Sequence, residues 1–190
     1  VAITGIGAIT PIGTGVERLW AGVRTGASAV RAITRFDASP FSSRVAAEVA
    51  FDPACHLTPK QIRRLDRFSQ FALVSARMAL DDAGLSSDAA ARNGAGIYVG
   101  SALGGIAFAE DQHTSYVVNG PHHVNPLLAL SVFGGAASSN VTIELGLTGP
   151  SLSNGNSCAA GLIAIGEAAR LIADGRVPIM LAGGAEAHLA

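Results

Sequence analysis

The sequence predicts an α/β fold, on three observations. The runs "GAGIYVG" and "VPIMLAGG" are continuously apolar, as in strands buried on both faces. Segments of helical period alternate with such runs along the chain. Glycines stand where helices should stop, at Gly84 and Gly175.

Taken in order, Val1 to Gly7 reads as a short apolar strand followed by a tight turn. Val16 to Arg24 reads as a helix with Trp20 on its apolar side. Residues 27–60 are irregular, punctuated by Pro40, Pro53 and Pro59, with a strand expected at Val45 to Val49. Thr58 or Pro59 opens one long helix, "KQIRRLDRFSQFALVSARMALDDAG". Its apolar positions Ile62, Leu65, Phe68, Ala72, Ala76, Ala79 and Ala83 follow the helical period. The strand "GAGIYVG" and the turn "SALGG" lead to a helix through Tyr116, and a second helical region spans about Pro126 to Leu145. "GPSLS" is the next strand, Gly161 to Ala173 the next helix, and "VPIMLAGG" the last strand.

Composition narrows the function. The chain has 190 residues, 49% hydrophobic and 14% charged, with net charge −1. Ordinary globular chains carry about 25% charged residues, so surface is expected to be covered by another subunit. Between Asp111 and Glu144 there is no Asp, Glu, Lys or Arg. That stretch is too polar and broken for a membrane span and reads as interior plus interface, which predicts an oligomer. The balanced charge predicts neither nucleic acid nor membrane as partner. Two cysteines make neither a disulfide framework nor a zinc site, so no metal or other cofactor is expected. A reduced, cytoplasmic setting is expected. The opening "VAITGIGAIT" lacks a basic leader, and both ends read as cut from a longer protein.

"GIGAIT" carries the G-x-G of a dinucleotide fingerprint, but Thr10 stands at the third glycine position and Pro11 follows where a helix should begin. A tight turn is the better reading. Cys158, in "SNGNSCAAG", is the sharper candidate. A strand, a small-residue turn and a helix make a nucleophile elbow. A helix N-terminus favours thiolate over thiol and offers N–H groups for an oxyanion. The pattern by itself fits equally a cysteine packed as a small hydrophobe. Cys55, in "FDPACHLTP", reads as structural, because the adjacent His56 is badly placed to act on it. His113, His122, His123 and His188 are possible bases, none of which sequence alone places beside Cys158. In "KQIRRLDR", Lys60, Arg63, Arg64 and Arg67 fall at helical spacing on one exposed side. They form either a solvated face or a docking patch for an acidic partner.

Taken together, "VAITGIGAITPIG", "RFD", "DRFSQFALVSARMALDDAG", "GSALGGI", "GLTGPSLSNGNSCAAGLIAIGEAARLI" and "IMLAGGAEA" resemble the N-terminal half of a beta-ketoacyl-acyl carrier protein synthase, of the synthase II type. The resemblance runs through essentially all 190 residues. It implies the thiolase-like fold, αβαβα in layers and built from two similar halves, of which residues 1–190 would be the first. It implies a homodimer with the strand before the cysteine near the two-fold axis. It implies Cys158 as the acyl-accepting nucleophile of a decarboxylative condensation, with two histidines and a lysine expected beyond Ala190. By the same resemblance Lys60, Arg63 and Arg64 contact acyl carrier protein, Leu103 lines the acyl pocket and Leu128 reaches the partner subunit's pocket, with Phe108 a nearby candidate for the pocket wall.

The sequence departs from the family pattern at "GPHHV", where His122 and His123 stand where some relatives have fixed cations, and at the polar residues before Cys158. The second departure keeps polyketide as well as fatty acid substrates open. Two other functions stay in view: a coenzyme A-dependent thiolase-like enzyme, and a non-catalytic truncated dimer scaffold. By itself the 190-residue piece is expected to be inactive.

Overall fold

The computed structural model describes residues 1–86, 88 and 92–189. Helix α1 covers Val16–Thr25, and the two-residue strands β1 (Arg31–Ala32) and β2 (Val45–Ala46) pair antiparallel. Then follow α2 (Pro59–Arg64), α3 (Arg67–Asp82), β3 (Gly96–Gly100), α4 (Ile106–Asn119), α5 (Leu128–Ser131), α6 (Ala136–Leu145), β4 (Ser151–Asn154), α7 (Ala160–Ala173) and β5 (Met180–Gly184).

Strands β4, β3 and β5 form one parallel sheet in that order. Side chains alternate across a strand, and β3 uses both faces. Ile97 and Val99 enter the core with Phe68 and Leu73 of α3 and Ala136, Ala137 and Val141 of α6. Gly100 faces the other way, against Ala160 of α7. The sheet is therefore covered on both sides, as its unbroken apolar strands require. Burial of Phe68 and Leu73, both fully enclosed, stabilises the fold by about 1.5–3 kcal/mol each.

Several predicted elements differ. Residues 1–7 form no strand. Gly5 and Gly7 lie so close on α3 that added Cβ atoms would fall 2.1 Å from the Ala79 carbonyl oxygen and 1.8 Å from that of Ser75. The Ile6 N–H donates to Asp82 Oδ2 at 2.8 Å. The segment thus rests on a helix, and Val1 and Ile3 stay exposed. The turn after it is present, with Thr10 and Gly13 exchanging backbone hydrogen bonds of 3.1 Å.

The expected strand Val45 to Val49 stops at Ala46, because the Glu48 carboxylate takes over the partner's backbone. It accepts from the N–H of Thr34 at 3.0 Å and of Arg35 at 3.2 Å, and from the Thr34 hydroxyl at 2.7 Å. Trp20 is exposed and α1 buries no residue.

The long helix is two helices. Leu65 is extended (φ −96, ψ 131), and the Asp66 side chain accepts from the Phe68 N–H at 3.3 Å, capping α3. The Gln70 amide donates to the Leu65 carbonyl at 2.9 Å, satisfying the end of α2. The helical region Pro126 to Leu145 likewise divides into α5 and α6, around the glycine pair Gly134 and Gly135.

Candidate active site

At one end of the sheet Asn154, Gly100 and Gly184 stand side by side in register. Ligands of open α/β sheets gather at such carboxyl ends of strands. Helix α7 starts directly over this row. A Cβ at Gly100 would fall 2.3 Å from both C and O of Ala160, and one at Gly161 would fall 3.2 Å from the Gly184 nitrogen. Only residues without a side chain permit this approach.

Cys158 lies in the 3₁₀ turn Ser157–Ala159 that runs into α7. Ser157 has φ 51, the one non-glycine residue at positive φ among the described residues. A strained residue between a strand and a helix is the mark of a nucleophile elbow, and here it lifts the Cys158 thiol into the open. Asn154 secures the turn from below. Its amide donates to the Ala160 carbonyl at 3.1 Å, and its side-chain oxygen accepts from the Asn156 N–H at 3.1 Å. Sequence reading missed Asn154, although an Asx residue four positions before a turn nucleophile is the signal that could have found it.

Glu186 ties the neighbouring loops together. It accepts from the Ser101 hydroxyl at 3.0 Å and from the Ala102 N–H, and His188 Nδ1 lies 3.2 Å from its other oxygen. Ser101 in turn accepts from the Gly104 N–H at 2.9 Å, fixing the "SALGG" turn. Leu103 sits exposed on that turn. Phe108 is on the first turn of α4, and Leu128 opens α5; both are half-buried. The turn reaches the same region, because Gly104 and Gly105 press on the backbone of Ser131, Val132 and Gly134. Phe133, which the sequence pattern does not single out, is close by. A Cβ on Gly135 would lie 2.8 Å from its ring and 3.1 Å from Ser153 Oγ of β4.

The basic helix needs correction. Lys60 and Arg63 are exposed, but Arg64 and Arg67 do not share their face. Arg64 turns inward to an ion pair with Glu144 of α6. Arg67 lies over the rings of Phe51 and Phe71, at 5.8 and 5.1 Å from their centroids. Burial there, with Arg35 nearby, pulls its guanidinium below its ordinary value. The histidines serve elsewhere. His56 stacks on Phe51 and His188 pairs with Glu186. His113 lies on α4, and His122 and His123 form part of a 3₁₀ turn. Among the described residues no group of three or more His, Cys, Asp or Glu is placed to hold a metal ion. None of the described helices is long and apolar enough to cross a membrane.

A parallel sheet with helices on both faces, and a cysteine elbow at its carboxyl edge, define a protein of the thiolase-like fold. The sequence pattern of "Beta-ketoacyl synthase, N-terminal domain" matches residues 1–190, and the chain belongs to that family. It is 41% identical over 187 residues to 3-oxoacyl-[acyl-carrier-protein] synthase 2 of Coxiella burnetii, covering 98% of this chain and 45% of that protein. The chain thus spans about half the length of the curated relatives it matches. The ishigamide ketosynthase/chain length factor superposes with TM-score 0.89 and 36% identity, over 97% of this chain and 47% of that one. A type II polyketide ketosynthase, solved with its acyl-carrier protein and bound to a hexaketide, superposes with TM-score 0.77 and 28% identity, over 96% and 49%.

Proposed function

We propose that Cys158 is the acyl-accepting nucleophile of a carbon–carbon bond-forming synthase of fatty acid or polyketide synthesis. The observation that carries this reading is the elbow, in which a strained Ser157 presents an exposed thiol over the carboxyl ends of three parallel strands. The Cys158 sulfur attacks the carbonyl of an acyl-carrier thioester, and the carrier thiol leaves with the proton. Malonyl-carrier then loses CO₂. The carbanion so formed attacks the acyl group on Cys158, giving 3-ketoacyl-carrier and returning the cysteine thiolate.

Residues 1–190 provide the nucleophile-bearing half in this proposal, and two histidines and a lysine from a C-terminal half complete the site. The named relative and the carrier-bound neighbour support carrier protein, rather than coenzyme A, as the substrate's handle. Lys60 and Arg63 are the exposed cations to receive an acidic carrier. Leu103, Phe108 and Leu128 form the acyl-pocket wall, Leu128 reaching across to a second subunit.

A homodimer fits the exposed edge of the sheet. Among the described residues, strand β4 has no partner on its outer side, and Ser151, Leu152 and Ser153 are exposed. Unpaired edges of this kind pair with another chain. The exposed Leu162 and Ile165 of α7 fit cover by the C-terminal half. A cytoplasmic setting fits two cysteines that both stand free. The test is transfer of a radiolabelled acyl group from carrier to the intact synthase and to its Cys158→Ala variant. Equal labelling of the two overturns the reading.

A further inference from the structure

Glu144 lies on α6, at the end of a stretch that holds no Asp, Glu, Lys or Arg from residue 112 to residue 143. Its carboxylate is mostly shielded, with a side-chain exposure of 16%. Both oxygens are used on α2. One takes the Arg64 guanidinium, and the other accepts from the Gln61 amide. Gln61 is itself the third residue of a capping box. Its side-chain oxygen accepts from the Thr58 N–H at 3.0 Å, and its N–H donates back to Thr58 Oγ1 at 3.3 Å. Ser131 of α5 reaches the Arg64 carbonyl at 3.4 Å. A single carboxylate therefore fastens α2 at its start, through Gln61, and at its end, through Arg64.

We infer that Glu144 is a specificity-determining residue that keeps Arg64 out of the carrier-docking face and sets how strongly that face attracts an acidic partner. This rests on the carrier-docking reading of α2 given above. Of the three cations on α2, Arg64 is paired and turned inward, while Lys60 and Arg63 stay exposed and, among the described residues, unpaired. The pair is partly desolvated on both sides, so an acidic partner must strip Arg64 from Glu144 before using it, which leaves a shielded carboxylate unpaired. The docking face is thus worth two cations, and removal of the Glu144 charge raises it to three.

The experiment measures the affinity of the intact synthase for an acidic acyl carrier protein by titration calorimetry, at low and high salt. It compares wild type, Glu144→Gln, Arg64→Met, the double variant, Arg63→Met and Arg63→Glu. Glutamine keeps the shape and an acceptor for Gln61, and thermal melts check folding. Freeing one cation should tighten binding about two- to fivefold at low salt. The gain should vanish at high salt and in the Arg64→Met background. Unchanged or weaker binding by a folded Glu144→Gln, with binding still weakened by Arg63→Glu, overturns the role of Glu144 and leaves the docking face intact. No effect of Arg63→Glu overturns the docking reading itself. If Glu144→Gln does not fold, Arg64→Met decides. It should weaken binding less than Arg63→Met does, and an equal or larger loss overturns the inference.

Discussion

Gly100→Ala tests the link between the sheet and the site. The new Cβ would lie 2.3 Å from the Ala160 carbonyl carbon and 2.3 Å from its oxygen. Ordinary contact begins near 3.4 Å, so α7 or β3 must give by about 1 Å. Both neighbours are backbone, and no rotamer change relieves the contact. Overpacking a closed core costs about 1–3 kcal/mol, and a backbone clash on a buried strand belongs at the upper end. The displaced element carries Cys158 two residues before its first turn, and about 1 Å of misplacement costs about 100-fold in rate. We expect a stability loss of about 3 kcal/mol in urea and a loss of acyl loading, measured at a temperature where the variant is folded. Adding Ala160→Gly removes only the side-chain contact at 2.7 Å and should not rescue loading. A folded Gly100→Ala variant that loads at the wild-type rate with unchanged stability refutes the reasoning, and full rescue by Ala160→Gly shows that the side chain, not the backbone, sets the contact.

Four other outcomes are expected. Cys158→Ala should abolish loading and change stability by less than about 1 kcal/mol, since the thiol is exposed. Denaturation and mass spectrometry check the two halves of that statement. Burial pushes the Asp66 carboxyl up from 3.8 to about 6, against the hydrogen bond it accepts from the Phe68 N–H. The folded state then holds that proton more tightly than the unfolded one, so this carboxyl's contribution to stability falls as pH rises from about 4 to about 6. Asp66→Asn keeps a capping side chain, and its stability relative to wild type should rise by up to about 3 kcal/mol between pH 4 and pH 7. A difference that stays flat across that window contradicts the burial argument. Ser157→Val should destabilise by about 1–2 kcal/mol, because a branched residue resists positive φ, whereas Ser157→Gly should be neutral or stabilising. Leu73→Ala, at a fully enclosed position, should cost about 2–5 kcal/mol in the same denaturation assay.

Much of this architecture was legible in the residues. The period of Phe68, Ala72, Ala76 and Ala79 marked α3, and Gly84 and Gly175, at φ 70 and φ 68, end their helices as expected. The parallel strands showed themselves as unbroken apolar runs. The break at Leu65 and Asp66 was hidden because Ile62, Leu65 and Phe68 keep the helical period across it, and a capping aspartate looks like any surface aspartate. Val1 to Gly7 has strand composition, but composition does not say whether a neighbour strand is present to pair with it.

At the site, the spacing around Cys158 announced the elbow. Arg64 was misplaced because helical spacing tells which residues share a side, not that Glu144, eighty positions later, draws one of them inward. Tertiary pairing of this kind leaves no local signature.

The most direct measurement is the site of acylation. The intact protein, incubated with an acyl-carrier thioester and digested, should yield one acylated peptide carrying Cys158, with Cys55 unmodified. Both cysteines are free and exposed, so accessibility does not favour one over the other. Acyl on Cys158 alone is the result the elbow predicts. Acyl on Cys55, or on neither cysteine in a folded, carrier-bound protein, would contradict it.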